Sequence, residues 1–218
     1  MGNLPKQLLI GLRLTVFIAA LALIYTFVIT GISQVAFNSQ ANGSLVTVNG
    51  KVVGSRLIGQ SCPQEKLASD GSLRITINPK YFQGRLSYTV NASTAALQPC
   101  NASNSAGSNL GPSNPLLKET ITAAVAAYEA AGVSAPVPID LVTSDFTGFD
   151  PNISEAAALA QVNMVASARS LDPSTVHALV ESQVQGRILW VFGEPVVNVL
   201  QLNLALDAHQ SSLAGLRR

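Results

Sequence analysis

The run from Leu14 to Ala36 contains no charged side chain, and it limits what this chain can become. A helix rises about 1.5 Å per residue, so about 23 residues reach roughly 35 Å, enough to cross a hydrocarbon core of about 30 Å. Within lipid, only a helix lets a single segment satisfy its own backbone groups. The sequence therefore predicts a transmembrane helix that tethers the rest of the chain to a membrane.

A cleaved signal peptide is the alternative interpretation of this run. Its apolar core would cover only about 7–15 residues and would end at a small-x-small cleavage site. The tripeptide Ala20-Leu21-Ala22 fits such a site poorly, because the apolar run continues through it. An uncleaved anchor is the interpretation we favour.

The predicted location of the helix is the cell membrane, that is, an inner or plasma membrane. The charges that flank the helix predict its orientation there. Lys6 and Arg13 precede the run, whereas the first basic residue after it is Lys51. Because basic flanks stay in the cytoplasm, the amino terminus is predicted to be cytoplasmic and the chain to be single-pass. The predicted organisation is a cytoplasmic tail (1–13), the transmembrane helix (14–37), a polar linker (38–50) and one compact extracytoplasmic domain (51–218).

Small and hydroxyl-bearing residues recur along the helix at spacings of three and four. They are Ala19, Ala22, Thr26, Thr30 and Ser33. Such a strip lets a second helix approach closely, and its hydroxyls can bond across the contact. Ala and Thr are also simply tolerated in lipid, so lipid contact alone remains open. Tyr25 favours a membrane partner, since its hydroxyl needs a hydrogen bond that lipid does not supply.

The portion outside the membrane is close to neutral and carries both cysteines. Of 13 Lys and Arg, Lys6 and Arg13 lie before the span, which leaves eleven basic residues against 12 Asp and Glu. This balance provides no basic field for nucleic acid. Cys62 and Cys100 lie 38 positions apart. A disulfide between them is possible in an oxidising compartment, and two separate thiols are the alternative.

Residue patterns predict an α+β domain of short strands and several helices, with the strands early. Clusters of β-branched residues predict strands at 52–58 and 73–77, with a loop over 61–71 between them. Residues 91–115, rich in Asn, Ser and Gly, hold little apolar surface and are predicted to be flexible or ordered by a partner. Later segments are predicted as helices at 115–132, 154–170, 173–186 and 200–206, with a strand at 189–192.

Motifs for independent catalysis are missing from the sequence. It contains no G-x-S-x-G, H-E-x-x-H or S-x-x-K pattern, so no catalytic residue is predicted. His177 and His209 are isolated, and no metal site is predicted. Asp140, Asp145 and Asp150 lack the alternating spacing of a calcium loop, and we expect them to form turns.

Five ordered motifs carry a resemblance that extends beyond composition. They are Gly54–Gln60, Tyr81–Arg85, Gly107–Pro115, Val137–Thr143 with Phe149–Ser154, and Gly193–Asp207. In this order they resemble the C subunit of the Kdp-type potassium-transporting ATPase, over the anchor and nearly the whole outer portion.

The resemblance implies a single-span, non-catalytic accessory subunit of a high-affinity, ATP-driven potassium uptake complex. Its implied partners are a potassium-channel-like subunit and a P-type ATPase subunit, and the complex, not this chain, handles ATP and potassium. The family is also described as a catalytic chaperone that raises the ATP affinity of the hydrolysing subunit. The alternative function is a membrane-anchored extracytoplasmic enzyme or sensor domain.

Three polar residues outside the membrane are candidates for partner binding. Asn109 is expected either to cap the helix that follows or to bond a partner. Gln201 and Asn203 lie among leucines of the last predicted helix. Their alternative role is a solvent-facing stripe.

Overall fold

The computed structural model describes residues 3–67, 73–91, 93–94 and 96–216. The chain divides into two units, Met1–Leu45 and Val46–Arg218. The helices are α1 (Leu4–Ala36), α2 (Asn38–Ala41), α3 (Pro115–Ala130), α4 (Ile139–Val142), α5 (Glu155–Ala160), α6 (Val162–Arg169), α7 (Pro173–Ser182) and α8 (Val199–Leu216). The strands are β1 (Leu45–Val48), β2 (Lys51–Ser55), β3 (Gln64–Leu67), β4 (Leu73–Thr76), β5 (Asn152–Ser154), β6 (Val184–Gln185) and β7 (Val196–Asn198).

Helix α1 dominates the first unit. Among the described residues, it is the one helix long and apolar enough to cross a membrane, and none of its residues is buried. The helix begins at Leu4, inside the predicted tail. Its 33 residues correspond to about 50 Å, so its ends reach beyond a hydrocarbon core of about 30 Å.

The predicted linker over residues 38–50 is more regular than its composition indicates, since it contains α2 and most of a hairpin. Strand β1 pairs with β2, and the connecting residues Asn49 and Gly50 have φ angles of 49° and 77°. An Asn-Gly pair is the strongest short-range hairpin signal, because both residues tolerate positive φ. The hairpin therefore begins earlier than the strand predicted at residues 52–58.

A second hairpin corrects the predicted loop over residues 61–71. Strands β3 and β4 pair antiparallel, from Gln64 opposite Thr76 to Leu67 opposite Leu73. The prediction was wrong at residues 64–67 because polar residues on a two-stranded hairpin give no apolar alternation. Residues 68–71 of the predicted loop lie outside the described part of the chain.

Helices α3 and α5–α8, with an antiparallel sheet of order β5-β7-β6, build the core of the second unit. Helix α7 contacts α5, α6 and α8. The largest apolar side chains that are fully buried are Tyr128, Phe82, Leu86, Leu141, Ile153, Leu202 and Leu206. The mixed helix and sheet content agrees with the predicted α+β class.

The helix predicted over residues 154–170 is interrupted at Gln161. Its side-chain Nε2 donates to the carbonyl of Ala157 at 3.2 Å, the carbonyl that its backbone N–H would use in a regular helix. The backbone N–H donates instead to Ala158, at 3.1 Å. The side chain therefore takes over one helical hydrogen bond, and the chain divides into α5 and α6.

The strand predicted over residues 189–192 is a tight turn. Leu189 and Trp190 adopt positive φ angles of 52° and 67°, and Ile188 forms an isolated bridge with Phe192. Apolar, β-branched residues predicted a strand here, but the side chains are exposed and the backbone reverses direction.

Candidate functional site

Two buried amide side chains hold the segment Tyr81–Arg85 in the middle of the second unit. Asn203 of α8 accepts from the N–H of Phe82 and donates to its carbonyl, both at 2.9 Å. Gln161 does the same for Gln83, at 2.8 and 3.1 Å. Each amide therefore makes the paired hydrogen bonds that a neighbouring strand would make. We call the four residues Phe82, Gln83, Gln161 and Asn203 the amide clamp.

Burial makes the amide clamp costly to open. Phe82 and Gln161 have no exposed surface, and Gln83 and Asn203 are buried as well. A buried backbone group without a partner costs about 1–3 kcal/mol. The segment Tyr81–Arg85 is one of the five motifs that carry the family resemblance. The clamp holds this segment against Gln161 and Asn203, which are distant from it in sequence.

This geometry changes the interpretation of the two polar residues of the last helix. Asn203 is neither solvent-facing nor positioned to meet a partner, because its amide is engaged inside the domain. Gln201 is half-buried, with its Oε1 3.5 Å from Nε2 of Gln185. Of the two, only Gln201 remains a candidate for partner contact.

Arg169 joins three elements beside the amide clamp. Its Nε donates to the carbonyl of Lys80 at 2.6 Å, and its Nη1 lies 2.7 Å from a carboxylate oxygen of Asp207. The guanidinium also lies over the ring of Tyr81, 4.4 Å from the centroid. A planar guanidinium suits this combination of stacking and pairing, so Arg169 ties α6 and α8 to the clamped segment.

Two of the three spaced aspartates, Asp145 and Asp150, form turns as expected, whereas Asp140 lies in α4. Asp145 accepts hydrogen bonds from the backbone N–H groups of Thr147, Gly148 and Asp150. Asp140 accepts from the N–H of Ser154 at 2.7 Å and lies 3.8 Å from the guanidinium of Arg85. Their oxygens are therefore engaged by the protein. Within the described ranges, no three His, Cys, Asp or Glu residues group as a metal site.

Burial raises the pKa of Asp150, and the nearby negative charge of Asp145 adds to the effect, against the hydrogen bond from Asn152. A raised folded-state pKa means that the folded protein favours the protonated acid. Its contribution to stability is therefore present below the unfolded pKa and is lost as pH rises through the folded pKa.

We expect Asp150→Asn to remove the loss of stability that accompanies ionisation of this carboxyl. The amide oxygen of asparagine can still accept from the N–H of Asn152, now 2.9 Å from Asp150 Oδ1. As pH rises through the aspartate range, the variant should therefore gain thermal stability relative to the wild type. Circular dichroism melts at several pH values would measure this. A difference in melting temperature that does not change with pH would contradict the assignment.

A close backbone approach explains one motif glycine. The N–H of Gly59 donates to the carbonyl of Phe149 at 2.7 Å, and a Cβ at Gly59 would lie 2.5 Å from the carbonyl oxygen of Asp150. Gly59 is not among the residues with positive φ, so backbone conformation does not explain the glycine. A lack of space between two loops requires glycine.

A groove of about 500 Å³ lies beside the clamped segment, lined in part by Gln60, Ser61, Asn78 and Tyr81. None of the described residues that line it carries a formal charge. Phosphate recognition normally uses Arg, Lys or clustered backbone N–H groups. The part of its lining that the structure describes therefore offers no cation to a nucleoside triphosphate.

On α1, the small strip, which consists of Ala19, Ala22, Thr26, Thr30 and Ser33, contains a hydroxyl that bonds within its own helix. Thr26 Oγ1 donates to the carbonyl of Ala22 at 2.8 Å, within the same helix. This satisfies the hydroxyl proton without a partner helix and leaves a surface with little protrusion. Close approach of another helix, rather than a hydrogen bond from Thr26, is what this strip offers.

The Asn-rich segment 91–115 is linked to the core at several points. The structure joins Cys62 to Cys100, with their Cα atoms 5.8 Å apart, and Asn101 Nδ2 donates to the carbonyl of Val90 at 2.9 Å. Asn109 is exposed with a φ of 52°, and Asn114, not Asn109, caps α3 by accepting from the N–H of Leu116. Flexibility of this segment stays a prediction, and positions 92 and 95 lie outside the described residues.

Comparison with known proteins places the chain in a family. Residues 8–208 match the family model described as KdpC: K+-transporting ATPase, c chain. The chain belongs to the KdpC family. The match begins within α1 and ends within α8, so it includes the amide clamp, Arg169 and the strip on α1.

Curated relatives give the same result over most of their length. A protein of Burkholderia orbicola (strain MC0-3), named potassium-transporting ATPase KdpC subunit, is 50% identical over 199 residues, which cover 90% of this chain and 93% of that protein. The protein of the same name in Paraburkholderia phytofirmans is 46% identical over 209 residues, with 95% and 97% covered. The chain is therefore a subunit of a potassium-transporting ATPase, associated with a membrane.

Proposed function

We propose that this chain is a non-catalytic accessory subunit that assembles and stabilises a high-affinity, ATP-driven potassium uptake complex. The observation that carries the proposal is the family match over residues 8–208, which joins the anchor helix and the outer unit in one module. The proposed partners are the potassium-channel-like subunit and the P-type ATPase subunit. The packed amides, aspartates and Arg169 of the second unit support a structural role, since their polar groups are engaged within the protein.

We further propose that α1 crosses the membrane once, with its amino terminus in the cytoplasm and the second unit outside. Lys6 and Arg13 support this orientation, and the pairing of Cys62 with Cys100 suits an oxidising compartment. Protease added to intact spheroplasts should cleave the second unit of a chain tagged at its amino terminus and spare the tag. Protection of that unit until the membrane is broken would reverse the topology.

The small strip is proposed as the face of α1 that meets a partner helix. Replacing Ala22 and Thr26 with leucine would fill the surface that permits close approach, so the yield of intact complex should fall severalfold. Leu21→Ala and Val28→Ala together serve as the control, because both residues lie on the face of α1 opposite the strip. The yield is measured by affinity purification of the tagged chain. An unchanged yield for the leucine variant would reject this placement.

Raising the ATP affinity of the hydrolysing subunit is the finer part of the proposed function. The resemblance implies this effect, and the topology proposed above separates the second unit from cytoplasmic ATP. We therefore assign the rise in ATP affinity to contacts between α1 and a partner subunit that exchanges between two conformations.

ATP titrations of the potassium-stimulated hydrolysis by purified complex test this assignment. Complex lacking the chain should need a higher ATP concentration for half-maximal rate, and adding the full-length chain back should restore the lower value. The chain alone should hydrolyse no ATP. The same half-maximal concentration with and without the chain would contradict the chaperone role and leave assembly as the function.

A further inference from the structure

Five consecutive apolar side chains project from the surface between β6 and β7. Their exposed fractions are 72% for Ile188, 75% for Leu189, 92% for Trp190, 71% for Val191 and 64% for Phe192. We call residues 188–192 the apolar tip. Contiguous exposed apolar surface is uncommon on soluble proteins and indicates contact with a protein or a membrane.

The backbone of the apolar tip is bonded to itself. Ile188 and Phe192 each donate their N–H to the carbonyl of the other, at 2.9 Å. The N–H groups of Trp190 and Val191 donate to the carbonyls of Arg187 and Ile188, at 3.3 and 3.2 Å. Four of the five N–H groups of the tip are therefore engaged internally, which lowers the cost of moving the turn out of water.

Charge at the base of the apolar tip is neutralised. Arg187 Nη2 lies 2.7 Å from Glu194 Oε2, so the ends of the turn are joined by an ion pair. Within the tip itself, the indole N–H of Trp190 is the one polar side-chain group. A protein partner would find little to bond there, whereas tryptophan beside aliphatic residues suits the boundary between lipid and water.

The membrane also lies within reach of the second unit. Residues 37–45 separate the end of α1 from that unit. Even fully extended, nine residues span only about 30 Å. If α1 is the anchor, as proposed above, the bilayer is the apolar surface that the tip meets at the highest effective concentration.

We propose that the apolar tip inserts into the interfacial layer of the bilayer that holds α1, as a second and weaker membrane contact. Insertion would bury the tip side chains, with Trp190 at the level of the headgroups. It would also limit the orientations of the second unit relative to the membrane surface. The inference requires the anchor but no partner subunit.

Fluorescence offers a direct test, because Trp190 is the single tryptophan of the chain. The full-length chain is reconstituted alone into phosphatidylcholine vesicles, with and without bromine atoms on the acyl chains near the headgroup. We expect emission at shorter wavelength than that of exposed indole, a loss of intensity in the brominated vesicles, and protection from iodide in the buffer.

Two variants make the result specific. Leu189→Ser with Val191→Ser should reduce quenching by brominated lipid and increase quenching by iodide, whereas Phe146→Ser, which changes another exposed apolar residue, should change neither. Emission typical of water with no quenching by brominated lipid would overturn the proposal. A shift to shorter wavelength that appears only with co-reconstituted subunits, still without lipid quenching, would also overturn it and assign the tip to a protein partner. Neither result depends on whether the complex assembles through α1.

Discussion

Asn203→Leu should lower the free energy of unfolding of the second unit by about 2–5 kcal/mol, because it leaves two buried backbone groups without partners. Leucine has the same number and branching of side-chain heavy atoms as asparagine but is apolar, so no cavity is created and the lost hydrogen bonds would dominate. The N–H and the carbonyl of Phe82 both depend on this one amide, and Phe82 has no exposed surface on which water could replace it. The expected loss is a large part of the stability of an ordinary domain.

The matched control is Gln201→Leu, two positions earlier on α8. Its side chain makes one long contact at the surface, so we expect a change below about 0.5 kcal/mol. Urea unfolding of the full-length chain in detergent, followed by circular dichroism, measures both variants. Similar losses for the two would contradict the clamp. Gln161→Leu should behave like Asn203→Leu, since Gln161 bonds both backbone groups of Gln83.

Removing the disulfide should have an effect of similar size. Cys62 and Cys100 are 38 positions apart, and the chain-entropy estimate for a loop of that length is about 4 kcal/mol. We therefore expect Cys62→Ser with Cys100→Ser to lower the unfolding free energy by about 2–4 kcal/mol. Reduction of the wild-type chain should produce a comparable loss.

The control for this prediction is treatment of the double serine variant with the same reductant, which should change nothing. Urea midpoints before and after reduction give the comparison. If reduction leaves the wild-type midpoint unchanged while free thiols are shown to form, the bridge does not stabilise the fold.

Local signals were sufficient where a structure depends on neighbours in sequence. Helices were predicted from residues 154 and 173, and there Ser154 and Asp172 cap α5 and α7 by accepting from the N–H groups of Ala157 and Thr175. Helix α3 begins at Pro115, as the helical spacing indicates. Caps and first turns are formed within about four residues, so the sequence shows them directly.

Long-range polar contacts could not be predicted in this way. Asn203 bonds Phe82 across 121 positions, and Gln161 bonds Gln83 across 78. Nothing in a single sequence relates these pairs, and an amide among leucines has the same pattern whether it faces water or the core. The strand predicted over residues 189–192, within the apolar tip, was wrong for another reason. The composition of the tip favours a strand, but the backbone reverses direction at Leu189 and Trp190. The side chains of the tip are therefore exposed instead of packed in the core.

As a subunit of a potassium-transporting ATPase, this chain should be held in a complex with larger membrane proteins. Purifying the tagged full-length chain from gently solubilised membranes, and identifying what remains bound, tests it most directly. We expect two larger membrane proteins in stable proportion to the chain, one channel-like and one a P-type ATPase. Potassium-stimulated ATP hydrolysis should occur in the bound fraction and not in the chain alone. Recovery of the chain without these two proteins, or turnover by the isolated chain, would contradict it.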